Sequence, residues 1–203
     1  MRRLIASTFV SLDGIMQAPG GPDEDPSGGF ALGGWMFGYL DEELDLSDWG
    51  FDAKGRELVL GRRTYDIFAA YWPNQPDEIP VAKIFNSTRK YVASRTPQAL
   101  RWNNSLQLEG DVVSALAALK QQPGPDLQII GSGDLIQSLQ AADLIDEYNV
   151  LTFPVVLGRG KRLFGENACP CALRLVRTEH GKTGVVMSTY VPDGEIRLGT
   201  IGV

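Results

Sequence analysis

The sequence predicts an α/β protein with a mainly parallel sheet. Short apolar runs rich in β-branched residues alternate with segments of helical periodicity through most of the chain, which is typical of βαβ units. Two apolar runs, residues 173–179 and 185–191, flank turn residues 180–183 and predict an antiparallel hairpin at the C-terminal end. Because a parallel sheet is covered on both faces, we expect three layers in the order αβα.

The N-terminal part contains three segments of distinct pattern. Residues 4–10 are apolar and predict a central strand, which the turn residues Ser11-Leu12-Asp13-Gly14 end. Residues 19–34 are rich in Gly, Pro and Asp, and a loop of this length is typical of a lid or of a disordered segment. In residues 35–46 apolar side chains recur at helical spacing and predict a helix with an acidic outer side.

The next strand, residues 58–60, leads into a glycine and two arginines. Gly61 permits a sharp turn that would bring backbone N–H groups close to a ligand. Thr64 can cap the helix that continues from Tyr65. The pattern then predicts a short helix within 76–86, a strand at 90–93 and a short strand within 102–110.

The second half of the chain repeats this alternation. Asp111 caps a helix that Pro123-Gly124 ends. A strand at 127–130 stops at Gly131-Ser132-Gly133-Asp134, where the next helix begins, and a strand at 148–153 stops at Pro154.

Composition restricts the classes of function. A chain of 203 residues with 43% hydrophobic content fits one domain, residues 1–203. Its net charge of −6 argues against nucleic acid or an anionic membrane as partner. No apolar run approaches the ~20 residues of a membrane helix. Cys169 and Cys171, the only cysteines, lack zinc-site spacing, so we expect no metal and two reduced thiols in the cytoplasm.

Three predicted strand ends carry residues that suit phosphate. In an open α/β sheet, ligands bind at the carboxyl ends of the strands, and helix N-termini and arginines bind phosphate there. The alternative is a set of ordinary turns with solvated arginines. No P-loop motif is present and no Gly-x-Gly-x-x-Gly follows the first strand, which argues against those two nucleotide folds. The three ends are Gly61-Arg62-Arg63-Thr64, Ser94-Arg95 and Gly131-Ser132-Gly133-Asp134.

Six segments in order resemble the dihydrofolate reductase-like family. The resemblance is greatest to the reductase domain of bifunctional riboflavin biosynthesis proteins and its stand-alone relatives. Each segment alone is weak, whereas six in order are specific. They are Ser11-Leu12-Asp13-Gly14, residues 58–65, residues 90–96, residues 130–135, residues 144–148 and residues 154–164, which contain Arg159-Gly160-Lys161-Arg162.

The resemblance implies NADPH as cofactor. Arginine is a permanently charged bidentate donor, which agrees with a ribose 2′-phosphate and predicts a preference for NADPH over NADH. The implied cofactor contacts are Gly61, Arg62, Arg63 and Thr64 at the adenosine phosphates, Ser94 and Arg95 at the adenine ribose, Gly131, Ser132, Gly133 and Leu135 at the pyrophosphate, and Ile15 within residues 10–16 at the nicotinamide.

Fewer residues are predicted on the substrate side. Asp13 is either a turn residue that bonds its own backbone or a catalytic proton relay and substrate contact. Trp35, Phe153 and Pro154 would line the pocket, with core packing as the alternative for both aromatic residues. In dihydrofolate reductase an acid on the helix after the first loop binds the pterin. Here the candidates lack the surrounding motif, so we expect another substrate; they are Asp41, Glu42, Glu43, Asp45 and Asp48.

Together these observations predict an NADPH-dependent oxidoreductase that reduces a small planar polar molecule, such as a pterin or a ribosylaminopyrimidine. The rival interpretations are a nucleotide- or drug-binding module of the same fold without turnover and a structural α/β protein without nucleotide. Sheet edges need covering, and the resemblance implies pairing through the C-terminal end, so we expect a homodimer.

Overall fold

A computed structural model describes residues 1–41, 46–47, 51–166 and 168–201. Within these ranges eight strands form one sheet in the order β4-β3-β2-β5-β1-β6-β8-β7. The strands are β1 Leu4–Ser11, β2 Glu57–Gly61, β3 Lys90–Ala93, β4 Ser105–Gln107, β5 Leu127–Ile130, β6 Glu147–Phe153, β7 Leu173–His180 and β8 Val186–Pro192. The helices are α1 Arg62–Tyr71, α2 Pro80–Ser87, α3 Val112–Gln121 and α4 Gly133–Ala141.

The strand directions confirm the predicted mixed sheet. Strands β1 to β6 are parallel to their neighbours, whereas β8 is antiparallel to β6 and β7 is antiparallel to β8. The carboxyl ends of β3, β2, β5, β1 and β6 therefore lie side by side along one edge. The predicted ligand turns follow these strands, so the topology gathers them in one place.

Helices pack on both faces of the sheet, which confirms the three-layer arrangement. Alternating residues of one strand separate the two faces: Val59 packs with α3 and α4, while Leu58 and Leu60 pack with α1 and α2. Under β1, β6 and β8 the second face is covered by a different element. There Phe30 and other apolar residues of the segment that follows β1 form an aromatic cluster.

Two local predictions are wrong. Residues 35–46 do not form one helix, because Phe37–Tyr39 is a single 3-10 turn and Leu40 is extended, with ψ 132°; residues 42–45 lie outside the described part. The indole of Trp35 donates a 2.7 Å hydrogen bond to the Gln17 carbonyl, so a tertiary contact fixes this segment.

The second wrong prediction is the cap of α1. The helix begins at Arg62 and its N-cap is Gly61, which has no side chain to offer. Thr64 lies in the first helical turn, and its hydroxyl is a partner of Ser132 instead. By contrast, Asp111 caps α3 as predicted, since its carboxylate accepts a 2.9 Å bond from the Ser114 amide.

Candidate active site

The predicted phosphate turns meet at the carboxyl edge. Strand β2 pairs with β3 on one side and with β5 on the other, so the turns that follow them are neighbours. The turns after β2 and β5 each open a helix, α1 and α4. Two helix N-termini with their unsatisfied N–H groups thus lie beside each other, an arrangement suited to a ligand with several negative charges.

Ser132 joins these two turns. Its hydroxyl accepts a 2.8 Å hydrogen bond from the Gly61 amide and donates a 2.9 Å bond to the Thr64 hydroxyl. A Cβ at Gly61 would lie 3.1 Å from the Ser132 Oγ. Glycine at this position therefore permits close contact between the two turns, and its own N–H is bonded to Ser132.

Ser132 holds an unusual backbone conformation. As the N-cap of α4 it is left-handed, with φ 63° and ψ 53°, a region that costs energy for a residue with a Cβ. The preceding Gly131 also has a positive φ, 64°. Such strain is found where the surrounding structure over-determines the backbone, and here the bonds to Gly61 and Thr64 do so.

Met16 reaches the second turn from the predicted nicotinamide segment. A Cβ at Gly133 would lie 2.8 Å from the Met16 sulfur, so any other residue would require the Met16 side chain to move. Ile15 beside it is fully buried, and its amide donates to the Ser11 hydroxyl at 2.9 Å. The two predicted cofactor segments are thus in contact, while the Leu135 side chain is buried in the core.

The three predicted arginines differ in their pairing. Arg62 forms an exposed ion pair with Asp66 one turn along α1, at 2.6 Å. Arg63 lies 3.5 Å from the carboxylate of Asp25. Arg95 is exposed and forms no ion pair with any described residue, which leaves its guanidinium available to a ligand.

Ser94 shapes the turn that carries Arg95. Its hydroxyl donates a 2.8 Å bond to the Thr96 carbonyl and accepts one from the Thr96 amide at 3.3 Å. This closed turn follows β3 and fixes the backbone from which Arg95 extends.

Asp13 joins the turn after β1 to the loop after β6. Its carboxylate accepts bonds from the Ser11 hydroxyl at 2.6 Å, the Leu157 amide at 3.1 Å and the Gly158 amide at 2.9 Å. The bond from Ser11, together with those from the amides, lowers the pKa of Asp13 to about 2. A carboxylate that is ionised and already bonded through both oxygens is suited to hold the turn, the first of the two roles predicted for it.

Residues 158–163 form a wall of the site that received no role from the sequence. This segment runs antiparallel to the one after β1, with a bridge between Ile15 and Arg162. The Met16 amide donates to the Lys161 carbonyl at 2.8 Å, and the Leu163 amide donates to the Gly14 carbonyl at 3.1 Å. The pairing places the basic side chains of Lys161 and Arg162 at the carboxyl edge.

Asp25 is a further residue of the site to which the sequence analysis assigned no role. It is buried, and its carboxylate contacts the ammonium of Lys161 and the hydroxyl of Ser27. Burial on its own would raise the pKa of Asp25, but the bonds from Lys161 and Ser27 outweigh it and the pKa is lowered. Its main partner is 136 residues away in the chain, so no local pattern could reveal the contact.

The predicted substrate residues separate into two groups. Phe153 is fully buried and packs edge-on against Trp35, with ring centroids 5.3 Å apart, which agrees with the core-packing alternative. Pro154 is exposed at the end of β6. Of the acidic candidates, Asp41 accepts a 2.8 Å bond from the Lys182 amide in the β7–β8 turn. The others, Glu42, Glu43, Asp45 and Asp48, lie outside the described residues.

A metal cluster and a membrane-spanning helix are both absent from the part of the chain that the structure describes. No group of three or more His, Cys, Asp or Glu side chains among the described residues is arranged to hold a metal ion. None of the helices found there is both long enough and apolar enough to cross a membrane.

The fold agrees with solved structures of low sequence identity. A proposed riboflavin biosynthesis protein from Shewanella sp. PV-4 superposes with a TM-score of 0.72 at 22% identity, over 94% of this chain and 99% of that one. Dihydrofolate reductase from Enterococcus faecalis, complexed with NADP(H) and RAB-propyl, superposes with a TM-score of 0.59 at 17% identity, over 94% of this chain and 96% of that one. A pyrimidine reductase-like protein from Corynebacterium diphtheriae superposes with a TM-score of 0.60 at 12% identity, over 96% of this chain and 93% of that one. The fold is dihydrofolate reductase-like.

Sequence relatives cover the chain almost completely. YyaP, an uncharacterised protein of Bacillus subtilis strain 168, is 29% identical over 192 residues, which are 93% of this chain and 94% of YyaP. YwjB of the same strain is 26% identical over 181 residues, 88% of this chain and 91% of YwjB. The model of the RibD C-terminal domain matches residues 2–187. The chain therefore belongs to the RibD C-terminal domain family.

Proposed function

We propose that the protein is an NADPH-dependent reductase of a small, planar, polar substrate. The family and the reductase fold support a reductase-like role. The observation that carries the cofactor assignment is the interlocked pair of helix N-termini at adjacent strand ends, with the unpaired Arg95 beside them.

The described residues fit a dinucleotide along this edge. Arg95 and the turn of Ser94 would hold the adenosine 2′-phosphate, because a guanidinium without a competing carboxylate can pair with phosphate without breaking an ion pair. The N-termini of α1 and α4 would hold the pyrophosphate, with the Met16 side chain packed against Gly133. Ile15 and Met16 would flank the nicotinamide. When bound, NADPH supplies the hydride.

Proton supply is a separate requirement. Two of the described carboxylates near the mouth, Asp13 and Asp25, have a lowered pKa and are ionised at neutral pH. An ionised carboxylate has no proton to give, so we propose that the proton reaches the substrate from water, and that Asp13 positions the turn between β1 and the nicotinamide segment.

The family and the solved neighbours support a proposed substrate class. One solved neighbour is called a riboflavin biosynthesis protein, and another is called pyrimidine reductase-like. A ribosylaminopyrimidine or a pterin is therefore proposed in place of dihydrofolate, since Asp41, the described acidic candidate, is bonded to the β7–β8 turn. We propose that the protein acts as a single-domain cytoplasmic homodimer.

The decisive experiment measures NADPH oxidation with a substrate panel of ribosylaminopyrimidine phosphates, pterins, dihydrofolate and small aromatic carbonyls. Oxidation that depends on one of these substrates is expected. NADPH binding in a fluorescence titration without oxidation by any substrate would favour the binding module, and a titration without NADPH binding would overturn the proposal.

A charge variant with a matched control tests the cofactor assignment. Arg95→Gln should weaken NADPH by ~1.5–3 kcal/mol, the range for a hydrogen bond to a charged group, and leave NADH binding unchanged. Arg101→Gln removes the same charge from the opposite edge, where Arg101 lies near Glu57 at the start of β2. It should change neither affinity. Equal losses in the two variants would contradict the placement of the 2′-phosphate.

A further inference from the structure

One carboxylate oxygen at the mouth of the site is shared by two cations from distant elements. The Oδ2 atom of Asp25 contacts the Lys161 ammonium and lies 3.5 Å from the Arg63 guanidinium. Its Oδ1 atom accepts a 2.6 Å bond from the Ser27 hydroxyl. Asp25 is only 9% exposed, so these charges meet in a partly desolvated place where their attraction is stronger than in water.

The same contacts fasten the long loop, residues 19–34. Gln17 donates 2.9 Å bonds to the carbonyls of Asp25 and Ser27. Arg159 donates to the Gly29 carbonyl at 3.2 Å. The ring of Phe30 is buried against Gly160, where a Cβ would come within 3.1 Å of it. The loop thus lies closed between α1 and residues 158–163, and Asp25 provides its ionic attachment.

We propose that Asp25 competes with ligand phosphate for Arg63 and Lys161. In the ligand-free protein its carboxylate occupies the space between the two cations. A phosphate carries more charge and more acceptor oxygens, so it replaces the carboxylate and releases the loop. This inference rests on the proposed function for the identity of the phosphate-bearing ligand, and it adds a residue that sets the affinity for it.

The summed charge of the three side chains predicts how Asp25→Asn changes the affinity for pyrophosphate. Arg63, Lys161 and Asp25 together carry one positive charge, and Asp25→Asn raises this to two while keeping an acceptor and the size of the side chain. Inorganic pyrophosphate, followed by calorimetry, should bind Asp25→Asn at least tenfold more tightly than the wild type. Asp23→Asn is the matched control, because Asp23 is an exposed carboxylate of the same loop without an ion pair to any described residue. It should bind like the wild type.

Loop release has its own readout. Glu24 is half-buried next to Asp25, and its carboxylate accepts a 2.6 Å bond from the Gly20 amide, so a glutamate-specific protease should cut there slowly. Saturating pyrophosphate should accelerate this cut in the wild type. In Asp25→Asn the cut should be fast without pyrophosphate.

The results separate this inference from the proposed function. Equal pyrophosphate affinities of Asp25→Asn and Asp23→Asn, or a wild-type cleavage rate that pyrophosphate does not change, would overturn the competition. Neither measurement involves a nicotinamide. If the competition is observed but NADPH is never consumed, the reductase proposal fails alone. If NADPH is consumed with the same KM by the wild type and Asp25→Asn, the competition fails alone.

Discussion

Replacement of Ser132 by alanine tests whether the two helix N-termini act as one unit. The serine hydroxyl is the only side-chain partner of the Gly61 amide among the described residues, and it also bonds Thr64. Alanine removes both bonds and leaves a half-buried N–H without a partner. The left-handed backbone of residue 132 stays equally unfavourable, because alanine keeps the Cβ.

The size of the effect follows from these contacts. An unsatisfied, partly buried donor costs about 1–3 kcal/mol, and the lost hydroxyl pair adds about 0.5–1.5 kcal/mol, so Ser132→Ala should lower the free energy of unfolding by about 1.5–4.5 kcal/mol. Ser132→Gly loses the same bonds but relieves the left-handed strain, which returns about 1 kcal/mol. Thr64→Val, which removes one acceptor only, should cost about 1 kcal/mol.

Urea unfolding of the three variants measures these differences, and a fluorescence titration with NADPH measures their effect on the site. We expect the order of stability wild type, Thr64→Val, Ser132→Gly, Ser132→Ala, and weaker NADPH binding in both Ser132 variants. If Ser132→Ala unfolds at the wild-type urea concentration and binds NADPH equally well, the two turns are independent and the reasoning is refuted.

Three further predictions concern other parts of the molecule. Val176 is 54% exposed on the edge strand β7, where we expect two chains to pair, and a charge there should prevent the pairing. Val176→Glu should therefore reduce the mass measured by light scattering from that of two chains to the 22.2 kDa of one. A wild type that is already monomeric would contradict pairing at β7. Asp13 has a pKa lowered to about 2, so its contribution to stability is complete above about pH 4 and is lost as pH falls towards 2; acid unfolding of Asp13→Asn should lack this component. Burial lowers the pKa of Lys90 to about 8, so the unfolded chain binds one proton more than the folded protein between pH 8 and 10.5. The free energy of unfolding should therefore rise by on the order of 3 kcal/mol as the pH increases across that window. In urea titrations Lys90→Met should abolish this rise.

Periodicity predicted most of the sheet because each strand carries its own signal. The run at 58–60 is continuously apolar, and the runs at 90–93 and 127–130 each contain a single polar residue, Lys90 and Gln128. This pattern is expected for strands buried on both faces, and each run became a strand within one or two residues. Residues 35–46 show the limit of this reasoning. Their apolar spacing reflects burial of Trp35 against Phe153, a contact that does not require a helix.

The long loop shows a related limit. Its glycines and prolines predicted a lid or a disordered segment, and composition cannot distinguish the two. The structure places Phe30 in the aromatic cluster and Asp25 among cations, so two side chains anchor a loop whose other residues have no strong structural preference. Anchors of this kind depend on partners elsewhere in the chain, which makes them invisible to a local pattern.

The sequence could name the three arginines predicted to contact the cofactor, but it could not tell which of them is free of an ion pair. The pairing of Arg62 with Asp66 follows from their spacing of four residues on a helix, and sequence alone could have anticipated it. The pairing of Arg63 with Asp25 needs the long loop to close over α1, and only the fold supplies that. Arg95 is left available because it forms no ion pair with any described carboxylate. The positions of the acids therefore decide which of the three predicted arginines is available to a ligand.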